Sequence, residues 1–283
     1  MRSIDTLLAI ADRFDAVVFD QWGVLHDGSA PYPHGPAALK ALHAAGHRLG
    51  VLSNSGKRAD VNAQRIAQMG YPEDLFEVVM TSGEALWQDF HQGRMGDLHT
   101  LYAITARPND AQGWAQGLMG IELTDNPASA DAILLMGLAD DADSTALTLQ
   151  LNSPPLADLP LLCSNPDRAS PRAGGLTVVS PGALAHARAE TGGDVRFYGK
   201  PHRPVFAALQ RALGCPPDRI LMVGDSFEHD IAGGHNAGWK TLFIQGGLYA
   251  EHFQKGINLG SIVEKLASRS SAPMPDFTLD QVC

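Results

Sequence analysis

The sequence has few cysteines and no long apolar run. Cys163, Cys215 and Cys283 are odd in number, far apart and without a Cys-x-x-Cys spacing, which argues against a disulfide framework or a zinc site. No window approaches the ~20 uninterrupted apolar residues of a membrane-spanning helix, so we expect a soluble, cytoplasmic protein. Asp5 and Asp12 interrupt the N-terminal apolar stretch, which predicts a capped amphipathic helix there and not a signal peptide.

Basic clusters and nucleotide-binding loops are also absent. The formal charge is −10 and no Lys/Arg run offsets it, so we expect no nucleic-acid partner. Residues 50–57 and 193–200 resemble phosphate loops, but each has one residue too many between its glycines. No Gly-x-Gly-x-x-Gly follows a strand. The histidines form no His-Glu-x-x-His, which argues against a histidine-based metal site.

Short apolar runs alternate with longer helix-like segments along much of the chain. Strand-like runs occupy residues 15–20, 48–53, 76–80, 219–225 and 241–245. Their Val, Leu, Ile and Phe content predicts strands that are buried on both faces. Repetition of strand, helix and strand predicts an α/β fold with a parallel sheet and right-handed crossovers.

The length of 283 residues favours two cores, one inserted in the other. The middle of the chain has its own strand-like runs, enough for a second, smaller α/β domain, with loop-like flanks at 91–96 and 170–175. We therefore predict a discontinuous core domain over 1–82 and 181–270 and an inserted domain over 83–180. Residues 271–283 are predicted to be a partly disordered tail or a docked strap.

Polar residues stand where three predicted strands end. These are Asp20, the Ser53-Asn54-Ser55 run and Asp225, and in open α/β sheets such ends line the ligand crevice. Asp20 is suited to attack phosphorus and form an aspartyl-phosphate. Ser53 would donate to a phosphoryl oxygen while Asn54 orients the substrate. The structural alternatives are a helix or turn cap for Asp20 and ordinary turn chemistry for the serines.

Three residues nearer the C-terminus complete the set. Lys200, between Gly199 and Pro201, could aim its ammonium into the crevice, and a surface lysine is the equal alternative for this residue alone. Asp225 would ligate Mg²⁺, a hard cation that prefers oxygen ligands. Asp230 could cap the next helix, orient Lys200, or do both.

Taken together, four segments resemble the ordered motifs of the haloacid dehalogenase (HAD) superfamily. They are Phe19-Asp-Gln-Trp-Gly-Val-Leu25, Val51-Leu-Ser-Asn54, Gly199-Lys-Pro201 and Val223-Gly-Asp-Ser-Phe-Glu-His-Asp230. The long insertion between the second and third, with Cys163-Ser-Asn-Pro-Asp-Arg168 near its end, looks like the large α/β cap of class IIA. The resemblance covers roughly residues 14 to 250 and implies a Rossmann-like core that hydrolyses small phosphorylated metabolites with Mg²⁺. The resemblance is also compatible with a homodimer, although the sequence itself does not indicate one.

The resemblance also implies a role for each matching residue. Asp20 is the expected nucleophile, Ser53 the phosphate binder and Lys200 the charge clamp. Asp225 is an expected metal ligand, together with Asp20 and the backbone carbonyl of Trp22.

Trp22 is the departure from this pattern, because a second aspartate usually stands two residues after the nucleophile. An indole N–H only donates and cannot carry a proton to a leaving group. His26, Asp27, Glu228 and His229 are the nearby candidates for a substitute. Two other functions therefore stay open: a catalytically silent binding protein, and a metal-independent dehalogenase, whose halide leaves without a proton.

Overall fold

The computed structural model describes residues 1–171, 177–253 and 258–283. Contacts divide the chain into two compact units. The first comprises Met1–Ser53, Asp60–Met80 and Lys200–Cys283, and the second comprises Asn54–Ala59 and Thr81–Gly199. None of the helices in the described residues has the length and apolar character that crossing a membrane would require.

The first unit is built on a seven-stranded sheet with the strand order β1-β14-β13-β12-β2-β3-β4. Its strands are β1 (Arg2–Ser3), β2 (Ala16–Phe19), β3 (Arg48–Ser53), β4 (Val78–Thr81), β12 (Ile220–Gly224), β13 (Lys240–Ile244) and β14 (Phe277–Leu279). The pairings from β1 through β3 are parallel. Strands β2 and β12 are wholly buried, as apolar runs in a doubly covered parallel sheet should be.

Helices connect the strands of this sheet. They are α1 (Leu8–Ala11), α2 (Gly35–Ala44), α3 (Ala59–Gln68), α8 (Arg203–Leu213), α9 (Ala232–Asn236) and α10 (Leu259–Arg269). A single π-helical turn, Phe227–Ile231, precedes α9; such turns often mark functional sites. The predicted α/β class with a parallel-sheet core is confirmed.

The second unit has a five-stranded sheet in the order β11-β8-β7-β5-β6 and a separate antiparallel pair, β9 with β10. Its strands are β5 (Thr100–Ile104), β6 (Glu122–Thr124), β7 (Ala132–Leu135), β8 (Leu161–Cys163), β9 (Ala169–Pro171), β10 (Thr177–Val179) and β11 (Val195–Phe197). Its helices are α4 (Ser82–His91), α5 (Asp110–Ala115), α6 (Ser144–Leu151) and α7 (Pro181–Glu190). All pairings in the larger sheet are parallel.

The division of the chain differs from the predicted one in three places, because residues 54–59, 81–82 and 181–199 belong to the second unit and not to the first. Residues 181–199 fall in the second unit, because β11 pairs with β8 and α7 packs on the same sheet. Of the predicted flanking loop at 170–175, residues 170 and 171 lie in β9, and 172–175 lie outside the described residues.

Both chain ends form strands that were not predicted. Residues 2 and 3 form β1 and pair with β14, so only Leu8–Ala11 is helical where a longer amphipathic helix was predicted. The predicted tail contributes β14 itself, whose three residues are buried. Strands of two and three residues have too little periodicity to be recognised from sequence. They form because β14 pairs with β13 and β1 then pairs with β14, which makes β1 the edge strand.

Candidate active site

Three candidate residues stand at the ends of neighbouring strands. Asp20 follows β2, Ser53 ends β3 and Asp225 follows β12. Strand β2 lies between the other two and Phe19 pairs in register with both. Because the strands are parallel, their carboxyl ends meet at one edge of the sheet, as the sequence predicted.

Lys200 lies at the same edge between two carboxylates. Its Nζ is 2.5 Å from Asp20 Oδ1 and 2.7 Å from Asp230 Oδ1. Lys200 is 3% exposed and Asp230 is completely buried. A buried ammonium therefore joins two carboxylates that are 210 residues apart in the sequence.

Asp225 completes the cluster. One oxygen from each of Asp20, Asp225 and Asp230 lies within 4.8 Å of the others. Asp225 Oδ2 accepts a hydrogen bond from the Leu248 backbone N–H at 2.7 Å. A Cβ on Gly23 would stand 1.8 Å from this oxygen, and one on Gly247 would stand 2.3 Å from it. Glycine is therefore required at both positions, and the backbone closes directly around the carboxylate.

Sequence reasoning missed the close contact of these two glycines, and of the Leu248 N–H, with Asp225. Gly23 lies inside the first motif, and Gly246 and Gly247 begin one residue after the end of β13. A glycine pair at the end of a buried strand is a signal of close backbone approach, but the group approached is distant in sequence.

The charges in this cluster shift one another's protonation. Burial raises the pKa of Asp20, which Lys200 opposes and Asp230 reinforces. Burial also raises the pKa of Asp225 well above its usual range, with further repulsion from Asp20 and Asp230. Burial alone would lower the pKa of Lys200, but the two carboxylates outweigh it and raise that pKa. The lysine therefore stays charged between the two carboxylates.

This donor set suits a hard divalent cation. Both oxygens of Asp230 are engaged, Oδ1 by Lys200 and Oδ2 by the Ser226 backbone N–H at 3.1 Å. Asp20 and Asp225 are thus the carboxylates left to hold a cation, and their mutual repulsion is what a cation would relieve. Oxygen ligands of this kind fit Mg²⁺.

The Trp22 side chain packs over the adjacent loop. The indole is 40% exposed, and a Cβ on Gly28 would stand 2.8 Å from its Nε1. Gly28 has φ +98°, a conformation that glycine adopts without strain. The loop that follows the candidate nucleophile is therefore shaped to accommodate the indole.

Two of the four candidate proton carriers lie in that loop. His26 is 1% exposed, its Nδ1 accepts from the Gly28 N–H at 3.1 Å, and its Nε2 has no partner among the described residues. Burial, aided by the charge of Arg65, lowers the pKa of His26, so the ring is neutral at pH 7. Asp27 accepts from the backbone N–H groups of Ser29 and Ala30, each at 2.8 Å.

The other two candidates follow the fourth motif. Glu228 accepts from the Tyr249 hydroxyl at 2.8 Å and the Ser270 hydroxyl at 2.6 Å. Burial would raise the pKa of Glu228, but these bonds outweigh it and lower that pKa. His229 Nδ1 lies 3.3 Å from Ser226 Oγ. Asp27 and Glu228 are thus held as carboxylates by local hydrogen bonds, and neither is a ready proton donor.

Asn54 belongs to the second unit. Its Nδ2 donates to Asp167 Oδ1 at 2.7 Å, so the amide has a protein partner. Ser53 and Asn54 are each 8% exposed. The predicted contacts of Ser53 and Asn54 with a substrate, and of the Trp22 carbonyl with a metal, stay predictions.

Two protein-family models match the parts of the chain that carry these residues. A haloacid dehalogenase-like hydrolase family model matches residues 17–106, and a HAD-hydrolase-like model matches residues 197–268. Together they contain every motif residue described above. The chain belongs to the haloacid dehalogenase-like hydrolases. The predicted family is thereby confirmed, and the second unit's α/β sheet is consistent with class IIA.

Individual HAD-like hydrolases resemble the chain over most of its length. It is 28% identical to glycerol-3-phosphate phosphatase from Gallus gallus over 86% of this chain and 83% of that protein. It is 27% identical to chronophin from Bos taurus over 84% and 83%. The structure of a haloacid dehalogenase-like hydrolase from Brucella suis superposes with a TM-score of 0.79 at 27% identity, covering 99% of this chain and all of that one.

Proposed function

We propose that this HAD-like hydrolase is a magnesium-dependent phosphatase of a small phosphorylated metabolite. Its relatives support the reaction class, since glycerol-3-phosphate phosphatases and chronophins are both among them. A p-nitrophenyl phosphatase from Archaeoglobus fulgidus shares the fold, with a TM-score of 0.70 at 20% identity. We further propose that the second unit is the cap that selects the substrate.

The observation that carries the proposal is the contact of Lys200 with both Asp20 and Asp230. A carboxylate that attacks an anionic phosphate needs a nearby positive charge to offset the repulsion. The Lys200 ammonium donates to Asp230, and its Nζ lies 2.5 Å from the Asp20 oxygen. This arrangement is costly to bury and has no evident purpose in packing alone.

In the proposed reaction Asp20 attacks phosphorus and the bond to the leaving oxygen breaks, which gives an aspartyl-phosphate. Water then attacks that phosphorus, and the bond to the Asp20 carboxylate breaks to release inorganic phosphate. Lys200 would balance charge on the transferring group, and Ser53 would donate a hydrogen bond to one of its oxygens. Asn54 would help to orient the substrate.

Asp20, Asp225 and the Trp22 carbonyl would hold Mg²⁺, which when bound would neutralise charge on the phosphoryl oxygens. A glycerol phosphate phosphatase from Mycobacterium tuberculosis with the same fold, at 21% identity, has been described in complex with calcium. The ion in the present protein is proposed from its own donor set, in which all candidate ligands are oxygens.

The test is a panel of phosphate esters, with and without Mg²⁺, using the wild-type protein, Asp20→Asn and Asp225→Asn. We expect turnover that is abolished by chelator, restored by Mg²⁺, and lost in both variants. Turnover that is unaffected by chelator or by Asp225→Asn would contradict the proposal.

A phosphoryl-binding protein without turnover is the second candidate, and the Trp22 indole beside the nucleophile favours it. Beryllofluoride, a phosphoryl mimic, would bind at Asp20 in either case. Binding without turnover of any ester would select the silent protein. A metal-independent dehalogenase is a poorer match, because it leaves the buried Asp225 and its backbone cradle without a role.

A further inference from the structure

The segment that follows Ser53 is anchored within the second unit. Gly56 lies so close to the carboxyl edge of the five-stranded sheet that a Cβ there would be 2.6 Å from the Met136 carbonyl oxygen and 3.0 Å from Ser164 Oγ. These two residues directly follow β7 and β8. The Gly83 backbone N–H donates to the Ser55 carbonyl oxygen at 3.0 Å. The segment thus packs on the sheet edge and does not form a loose linker.

The Asn54 side chain ties this segment to the loop after β8. Its Nδ2 donates to Asp167 Oδ1 at 2.7 Å, and the Asp167 backbone N–H donates to Asn165 Oδ1 at 3.1 Å. The loop therefore presents its carboxylate to Asn54 from a fixed turn.

The segment before Lys200 meets Asn54 and the residue that precedes Asp167. A Cβ on Gly199 would lie 2.6 Å from Asn54 Oδ1 and 2.4 Å from Pro166 Cδ. Asn54 follows Ser53 directly, and Gly199 precedes Lys200 directly. One cluster inside the second unit thus fixes the covalent neighbours of two candidate phosphate-binding residues.

We propose that Asn54 and Asp167 are positioning residues. Their hydrogen bond fixes the backbone position of the residue after Ser53 and of the residue before Lys200. This inference rests on the proposed phosphatase function. Asn54 would orient the substrate through these neighbours, without touching it. The bond matters for transition-state stabilisation because a displacement of about 1 Å in a group that contacts the transferring phosphoryl can cost about 10²-fold in rate.

The test measures kcat, KM and inhibition by orthovanadate, a mimic of the transferring phosphoryl group, on the full chain. Asp167→Ala removes the acceptor, whereas Asp167→Asn keeps an oxygen facing Asn54. We expect Asp167→Ala to lower kcat about 10- to 100-fold for aryl and alkyl esters alike, and to raise the vanadate inhibition constant by a similar factor. Asp167→Asn should stay within a few-fold of wild type.

Exchanging the two side chains provides the rescue. Asn54→Asp places two carboxylates face to face and should lower kcat at least as much as Asp167→Ala. Adding Asp167→Asn to it restores a donor and an acceptor, and should recover at least tenfold.

Asp131→Ala is the matched control for general weakening of the second unit. Asp131 Oδ2 accepts from the His99 and Thr100 backbone N–H groups at 2.9 and 2.7 Å, at the opposite edge of the same sheet. Asp131→Ala should lower the unfolding temperature and leave kcat within twofold.

Two results would overturn the inference while leaving the phosphatase proposal intact. The first is an active wild type with Asp167→Ala within twofold of its kcat. The second is a loss in Asn54→Ala that Asp167→Ala does not share, which would mean that Asn54 touches the substrate itself. A wild type that hydrolyses no phosphate ester would instead reject the proposed function, and this inference with it.

Discussion

Lys200 illustrates how one side chain can combine a structural and a chemical role. Its ammonium lies between Asp20 and Asp230 and is almost fully buried. Desolvating these charges costs several kcal/mol per ion, and only their mutual contact offsets the cost. The residue is thus held in place by charges that it also neutralises.

Removing Lys200 should therefore destabilise the fold as well as the site. We expect Lys200→Ala to lower the free energy of unfolding by about 3–5 kcal/mol, because it leaves the Asp230 carboxylate buried without its cation. Urea denaturation monitored by circular dichroism would measure this. Adding Asp230→Asn removes the unpaired charge, so the double variant should recover part of the loss. No recovery would mean that packing, and not charge, causes the destabilisation.

A substitution at Trp22 tests whether protonation of the leaving group limits turnover. Trp22→Asp supplies a carboxyl where the indole offers none, and we expect turnover of alkyl phosphates to rise by about 10²-fold, the lower end of general acid catalysis. Aryl phosphates, whose leaving groups need little protonation, should gain less. Trp22→Asn matches the new side chain in size without carrying a proton, and should give no such gain. Equal gains on alkyl and aryl esters would contradict this account.

Among the elements, the loops after the strands carry most of the chemistry. Strand β2 leads into the loop with Asp20, Trp22 and Gly23, and β12 leads into the turn with Asp225. The loop after β13 closes on Asp225 through Gly247 and the Leu248 N–H. The strands set the positions, and the glycines allow the loops to approach one another.

Gly23 provides a direct test of this close approach. It has φ +87°, and Gly46 has φ +89° with no atom within 4 Å of its Cβ position. Alanine at either position should cost about 1 kcal/mol of backbone strain. Only Gly23→Ala also displaces Asp225, so we expect it to abolish metal-dependent turnover while Gly46→Ala keeps it. Titration with Mg²⁺ should show the difference, and equal activity in the two variants would exclude the proposed role of Gly23.

The long elements and the motif residues were predictable from sequence, because buried strands and their polar ends leave local patterns. Asp20, Ser53 and Asp225 were placed at one sheet edge on this basis. The 2.7 Å contact between Asn54 and Asp167 was not predictable, since it joins loops 113 residues apart and neither residue type is unusual in a turn. The same holds for Gly247, whose partner is set by the sheet order.

On the scale of the whole molecule, the two chain ends complete the larger sheet. Strand β14 lies between β1 and β13, and it is parallel to both. Phe277 is 4% exposed, and its ring meets that of Phe14 edge to face at 6.3 Å. This strand therefore belongs to the hydrophobic core of the first unit.

Truncating Phe277 should accordingly have the cost of a core substitution. We expect Phe277→Ala to lower the free energy of unfolding by about 3–5 kcal/mol, measured by urea denaturation. Met274, three residues earlier and 40% exposed, is the control, and Met274→Ala should change stability by less than about 0.5 kcal/mol. Similar values for the two variants would show that the last strand contributes little.

The position of Trp22 has an optical consequence. Trp114 and Trp239 are 2% and 3% exposed, whereas the Trp22 indole is 40% exposed and stands two residues from the nucleophile. Its fluorescence emission should respond when an anion occupies the crevice, and subtracting the spectrum of Trp22→Phe would isolate that signal. The residue that departs from the family pattern thus equips the enzyme with an intrinsic reporter of occupancy, with no label attached.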